Sequence, residues 1–402
     1  MKSRVIFFFL LILPQVAMGV TFKQAVEIVK NHTAVKSLQA SSKEIKKVAG
    51  VNGSWGDPEF KMAAKNYPKS SLRDDQTPMT GIEFELSQKI SLTTKYKSIR
   101  NSIEAMAKAK KYASKDKENF LIKNLWEMII RKKKIAEEIT ILKENIAWIG
   151  KILKVSKRLY ANGKTSQQAI LDMQIRKSEI EGNISNKKFE FDQTNDVFEY
   201  LLGKDNREIE KSTIPWGILE GNSGNKFDFK ELGLKEVIGS AEYGLAASKL
   251  NYIPDVTLSV SYTKRKNVDG YGDFVSAAIS FPLPFSGKKY SKHDAATQKK
   301  YQAIRHFEHY KNKKARDEGI LNSEITKIAT EIKIIDSKTI KFARNSRTIT
   351  SKSYGHGNST YVELLQSELK LQNILLKRVH LAAVLMLRKI GLKYISGEKL
   401  YE

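Results

Sequence analysis

The sequence contains no cysteine among its 402 residues and only 8 prolines. Without cysteine the chain has no disulfide, thiolate zinc site, iron–sulfur cluster, cysteine nucleophile or cysteine-linked N-terminal lipid. No proline occurs from residue 79 to 214, or from residue 285 to the end. Because proline breaks helices, these two proline-free stretches favour very long helices.

Acidic residues are fewer than basic residues. Asp and Glu total 44 against 70 Lys and Arg, which gives a net charge of +26. Such an excess indicates that the protein binds nucleic acid, that it binds an anionic membrane surface, or that it has a solvated surface rich in lysine. With 41% apolar and 28% charged residues, the composition excludes a disordered chain and a polytopic helical membrane protein.

The N-terminus predicts export. Lys2 and Arg4 precede an apolar stretch over residues 5–13, and small residues follow at Ala17 and Gly19. This pattern is typical of a signal peptide, here residues 1–19, cleaved after Gly19. A membrane anchor is the weaker alternative, since a spanning helix needs about 20 apolar residues. Export argues against a nucleic-acid partner.

Sequence signatures of catalysis are missing. There is no Walker loop, dinucleotide fingerprint or Gly-x-Ser-x-Gly elbow. His306 and His309, with Glu308 beside them, lie about one helical turn apart and could bind a metal ion. No third ligand accompanies them, so a polar helix face is favoured. We therefore predict no enzyme, no catalytic residue, no cofactor and no metal site.

The chain contains an internal duplication. The segment Tyr160-x-x-Gly163-x-x-Ser166 matches a second segment 194 residues later. That second segment is Tyr354-x-x-Gly357-x-x-Thr360, and further matches at the same offset join 95–96 to 289–290 and 200–203 to 394–397. The period is too long for a solenoid repeat. We predict a first structural repeat at 20–210, a linker at 211–228 and a second repeat at 229–402.

Each repeat is predicted to hold two strands followed by a long helical hairpin. Period-two alternation gives strands near 58–66, 81–90, 255–264 and 273–283. Apolar residues at heptad spacing from Leu121 to Tyr160, interrupted at Lys132 and Ser156, predict a long packed helix. The predicted helices cover about 92–160, 165–203, 288–354 and 359–392. The fold class is therefore mainly α with a small β part.

The strands have one apolar face, as transmembrane barrel strands do. An ordinary soluble hairpin is the alternative. If the strands span a membrane, the lipid-facing residues are Ile82, Phe84, Leu86, Val256, Leu258, Val260 and Ile279. Four strands cannot close a barrel, and an open edge in lipid leaves backbone groups unpaired. Three copies sharing one barrel would supply twelve strands.

These features resemble the TolC-like outer-membrane efflux and secretion channels. The resemblance rests on the doubled Tyr-x-x-Gly-x-x-Ser/Thr turn, on Asp57-Pro58 and Ile253-Pro254-Asp255, and on the segment from Ser280 to Tyr290. The last segment looks most like the cation and heavy-metal efflux branch. The first half departs from the family in having Ala169 where the second has Glu363.

The resemblance implies a homotrimer in outer-membrane lipid, with a twelve-stranded barrel and a helical barrel in the periplasm. It also implies a periplasmic adaptor and an inner-membrane pump of the resistance-nodulation-division type. The residues at the periplasmic tip that contacts the adaptor would be Tyr160, Gly163, Ser166, Tyr354, Gly357 and Thr360.

The leading hypothesis is therefore a passive exit duct in a tripartite efflux system, with metal cations as a possible cargo. One alternative is an exported coiled-coil structural or adhesion protein whose strands form soluble hairpins. A further alternative is a periplasmic protein that binds metal through His306 and His309.

Overall fold

The computed structural model describes residues 19–204, 208–221, 226–283 and 285–401. The predicted signal peptide, apart from Gly19, and Pro284 lie outside the described residues. In chain order the elements are α1 (Phe22–Lys30), α2 (Thr33–Asn52), β1 (Glu59–Lys65), β2 (Gly81–Ile90), α3 (Lys95–Ala161), α4 (Gln167–Leu202), α5 (Phe229–Leu250), β3 (Val256–Arg265), β4 (Phe274–Ser280), α6 (Lys288–Ile334), α7 (Ile340–Gly355) and α8 (Tyr361–Ser396). The predicted fold class, mainly helical with four strands, is confirmed.

The chain divides into two compact units. The first, called here the helical unit, comprises Met1–His32, Glu118–Phe227 and Arg316–Glu402. The second, called the sheet unit, comprises Thr33–Lys117 and Asp228–Ala315. Each unit takes segments from both sequence repeats. The boundary between the two units therefore does not coincide with the boundary between the two repeats predicted from the sequence.

The sheet unit contains one antiparallel sheet with strand order β1-β2-β3-β4. Met62 pairs with Phe84, Phe84 pairs with Tyr262, and Tyr262 pairs with Val275. This register aligns the alternating apolar positions of all four strands across one face. The other face carries mainly charged and hydroxylated residues, with Ala63, Phe274 and Ala278 among them. The single-chain sheet has two edges, at β1 and β4.

The helical hairpins arise from the proline-free stretches. Helix α3 has 67 residues, which at 1.5 Å per residue makes it about 100 Å long. The second stretch was expected to form one helix over 288–354. It is interrupted by one π-helical turn at Ile335–Thr339, between α6 and α7. Helix α3 also begins three residues later than expected, at Lys95.

The buried stripe of α3 is more polar than the sequence predicted. Its heptad spacing is confirmed at Ile135, Leu142 and Ile149, which are almost fully buried. Between them lie Glu138 and Asn145, which are equally buried but were not assigned to the seam. At the far end of the helix Ser156, expected to interrupt the stripe, is buried with Leu159, whereas the predicted seam residue Tyr160 is 47% exposed.

Three shorter helices were not predicted from the sequence. Helix α1 begins with a capping box in which Thr21 and Gln24 bond each other's backbone N–H groups. Its Phe22 ring packs 4.8 Å from the ring of the buried Trp126 in the helical unit. Helices α2 and α5 belong to the sheet unit, where Asp228 caps α5 by accepting from the Glu231 N–H.

Within the described part of the chain, no helix is both long enough and apolar enough to cross a membrane.

Candidate functional site

Two turns in the helical unit close the long hairpins, and they have the same backbone geometry. At the first, the Gly163 N–H donates to the Tyr160 carbonyl and the Lys164 N–H donates to the Leu159 carbonyl, at 2.9 and 2.8 Å. At the second, the equivalent bonds join Gly357 to Tyr354 and Asn358 to Ser353, both at 2.9 Å. This is the Schellman ending of a helix. Gly163 and Gly357 have φ of 68° and 80°, which only glycine adopts without strain.

The residues after the two glycines start the returning helices. Ser166 accepts a hydrogen bond from the Ala169 N–H, and Thr360 accepts one from the Glu363 N–H, both at 3.3 Å. Glu363 also accepts from the Thr360 N–H at 3.0 Å, which completes a capping box. Ala169 cannot make this second bond. The difference between the repeats is therefore a difference in helix capping.

The two matched tyrosines have different environments. Tyr354 is 2% exposed and packs with Leu159, Met173 and Leu364 in a cluster drawn from both hairpins. Its hydroxyl lies 2.9 Å from the Ser156 hydroxyl. Tyr160 is not among the described members of this cluster and is 47% exposed. The structure thus makes Tyr354 a core residue and leaves Tyr160 on the surface.

The structure brings the two turns side by side. A Cβ built on Gly357 would lie 3.8 Å from the Cδ of Lys164, which follows Gly163. Near the start of the returning helices, Tyr361 donates a hydrogen bond to Asp172, which raises the pKa of the tyrosine. All six predicted tip residues therefore lie in one region of the helical unit.

Buried polar groups lie between the hairpins, a few turns from the tip. Glu368 is 1% exposed, and its Oε2 is 3.3 Å from Nη1 of Arg347. Its other oxygen has no hydrogen-bond partner among the residues that the structure describes. Burial raises the pKa of this carboxyl, and the nearby Arg347 and Arg176 oppose the shift without cancelling it. Arg176 donates to Gln372 at 2.8 Å. Sequence reasoning missed this polar layer.

The sheet of the sheet unit exposes its apolar face. On that face lie all seven of the residues predicted from the alternation pattern: Ile82, Phe84, Leu86, Val256, Leu258, Val260 and Ile279. Leu86, Val260 and Ile279 are 57, 57 and 69% exposed, whereas Glu83 on the opposite face is 7% exposed. A soluble sheet on a core shows the reverse pattern. This arrangement leaves a continuous apolar surface facing outward.

The histidines considered as metal ligands lie on α6. Both His306 and His309 are exposed there. No group of three or more His, Asp or Glu side chains suited to a metal ion occurs in the described ranges.

Comparison with known proteins gives structural matches only. No protein-family model matches the chain. No curated protein matches it in sequence.

Several solved structures share the fold. A structure of CusC, whose subject is folding and transmembrane channel formation, has a TM-score of 0.78 at 12% identity, covering 94% of this chain and 92% of that one. The outer membrane protein VceC from Vibrio cholerae gives 0.77 at 14% identity, covering 94% and 97%. The MtrE outer membrane channel of Neisseria gonorrhoeae in its open state gives 0.72 at 11% identity, covering 94% and 89%. The chain therefore has the TolC-like fold over most of its length.

Proposed function

We propose that this chain, which has the fold of the TolC-like channels, is one subunit of an outer-membrane exit duct. The observation that carries the proposal is the inverted burial of the two central strands: the apolar Leu86 and Val260 are exposed, whereas the polar Glu83 is buried and Ser261 is half-buried. Membrane barrel strands have this distribution, with lipid outside and water inside. Strands β2 and β3 have ten residues each, which is the length that a tilted strand needs to cross a bilayer.

The sheet of one chain is incomplete for this task. Its edge strands β1 and β4 each pair on one side only within the four-stranded sheet. In lipid every unpaired backbone group costs several kcal/mol, so the edges must find partners. Neighbouring copies supply them in a closed ring. Three copies give twelve strands, and their long helices form a periplasmic helical barrel.

The duct is passive and breaks no bond. It carries substrates that an inner-membrane pump of the resistance-nodulation-division type delivers through a periplasmic adaptor. The adaptor contacts the paired turns, where Tyr160 and its surroundings are exposed while Tyr354 holds the two hairpins together. The cation cargo indicated by the segment from Ser280 to Tyr290 stays a prediction.

Fractionation and reconstitution test the proposal. The protein is expressed with its N-terminal segment in a Gram-negative host, extracted from outer membranes with detergent and added to a planar lipid bilayer. The proposal predicts a heat-stable oligomer and discrete conductance steps. A mature protein that stays soluble and monomeric without detergent contradicts it and favours the coiled-coil structural alternative.

A further inference from the structure

A basic cavity of about 430 Å³ lies within the sheet unit, where the strands meet the starts of α3 and α6. Four lysines line it: Lys89 from the end of β2, Lys95 from α3, and Lys289 and Lys292 from α6. The single acidic lining residue is Asp255, just before β3. The lining therefore carries four positive charges and one negative charge.

Asp255 neutralises only part of this charge. Its carboxylate pairs with the Lys95 ammonium at 2.7 Å and with that of Lys89 at 3.4 Å. Burial alone would raise the pKa of Asp255, but Lys95, with smaller contributions from Ser91 and Lys89, outweighs burial, so the pKa is lowered and the carboxylate stays ionised. Lys289 donates to a backbone carbonyl, that of Tyr252, at 3.1 Å. Lys292 has no hydrogen bond or ion pair with any described residue.

The helix ends add further positive potential. Helices α3 and α6 begin at Lys95 and Lys288, and neither has an acidic residue in its first turn. Helix N-termini carry a partial positive charge and normally attract carboxylates, so lysines there oppose the usual preference. Such local violations are expected where function requires them. The same Lys-Tyr pair occurs at both helix starts, at 95–96 and 289–290.

The cavity adjoins the polar side of the sheet. Lys89 lies on the same face as Glu83 and Ser87, because these residues alternate with the apolar positions of β2. Under the proposed function, on which this inference rests, the polar face lines the water-filled path. The four lysines then border that path at the junction of strands and helices, once in every subunit.

We propose that this lysine cavity is an anion site that makes the duct select for anionic cargo, with a phosphate group as the preferred ligand. Lysine ammonium groups and the free N–H groups of a helix start are the groups that bind phosphate in proteins. A ring of like charge along a pore influences which ions pass. The cavity volume suits a small organic anion, and its charge disfavours the metal cations that the sequence resemblance suggested.

Ion selectivity of the purified protein in a planar bilayer tests the inference. With a potassium chloride gradient, the wild type is expected to favour chloride over potassium by about threefold or more. Inorganic phosphate at millimolar concentration is expected to reduce the chloride current. The variant K89Q/K289Q/K292Q is expected to lose both effects, because only Lys95 then remains to balance Asp255.

The control variant K43Q/K46Q/K47Q removes the same charge from exposed positions on α2 that do not line the cavity. It is expected to keep chloride preference and phosphate block. Should the triple cavity variant fail to assemble, K292Q alone replaces it, since this side chain bonds no described residue, and it is expected to weaken phosphate block. A conducting pore that favours potassium, or equal losses in the cavity and control variants, would overturn the inference. Absence of any pore would instead refute the proposed function.

Discussion

Val260 offers a sharp test of the outward apolar face. It lies in the middle of β3, beside Leu86 and Ala277 on the neighbouring strands, and is 57% exposed. If this face meets lipid, Val260→Arg places a guanidinium near mid-membrane, at a cost of about 2–4 kcal/mol. The equilibrium for insertion should then fall by about 30- to 1000-fold per subunit.

The neighbouring Ser261 provides the matched control. It lies on the opposite face, beside Glu85 and Ser276. Ser261→Arg adds the same side chain to the water-lined face and should leave insertion within a few-fold of wild type. The assay measures folding into lipid vesicles as a function of urea concentration. The readout is the fraction of protein that forms an oligomer resistant to heat dissociation. If this face were ordinary exposed surface, Val260→Arg would change stability by only about 0.5 kcal/mol. Equal behaviour of the two variants would therefore refute the reasoning.

Three further predictions concern the helical unit. Gly357→Ala forces alanine to φ near 80° and should lower the free energy of unfolding, measured by chemical denaturation, by about 1–2 kcal/mol. The control Gly182→Ala, at an open position within α4, should raise it by about 0.5–1 kcal/mol. Tyr354→Phe removes a buried hydroxyl bond and should cost about 1 kcal/mol, whereas Tyr160→Phe should change the unfolding free energy by less than about 0.5 kcal/mol; similar losses would contradict the assigned environments. The pKa of Glu368 is higher in the folded chain than in the unfolded chain, so its contribution favours folding below the ordinary carboxyl pKa of 4.5 and is lost as pH rises through the raised pKa. Glu368→Gln removes this titration, so the melting temperature of the variant minus that of the wild type should be more positive at pH 7 than at pH 4. An equal difference at the two pH values would count against the raised pKa.

Local patterns in the sequence were sufficient for the strands and turns. Period-two alternation placed the apolar face of the sheet correctly because a strand has only two faces. The glycines at 163 and 357 were identifiable because a helix that reverses direction needs a residue with positive φ. These features depend on a few neighbouring residues and so are visible without a structure.

Features that depend on packing were not predictable in the same way. Tyr160 and Tyr354 occupy matched sequence positions, yet only Tyr354 is buried, because the two hairpins pack asymmetrically around Ser156 and Met173. The buried Glu138 was not assigned to the seam, since its ion pair with Lys187 comes from another helix, α4. The lysine cavity draws on residues about 200 positions apart, and the repeated Lys-Tyr pair was its only local signal.

The number of chains in the membrane-inserted particle tests the central claim most directly. Native mass spectrometry of the protein extracted from outer membranes in detergent counts the subunits without assuming their arrangement. We predict three copies, each of which contributes four strands to one closed barrel. A particle containing a single chain would contradict it, because one sheet with two open edges cannot form a pore in lipid.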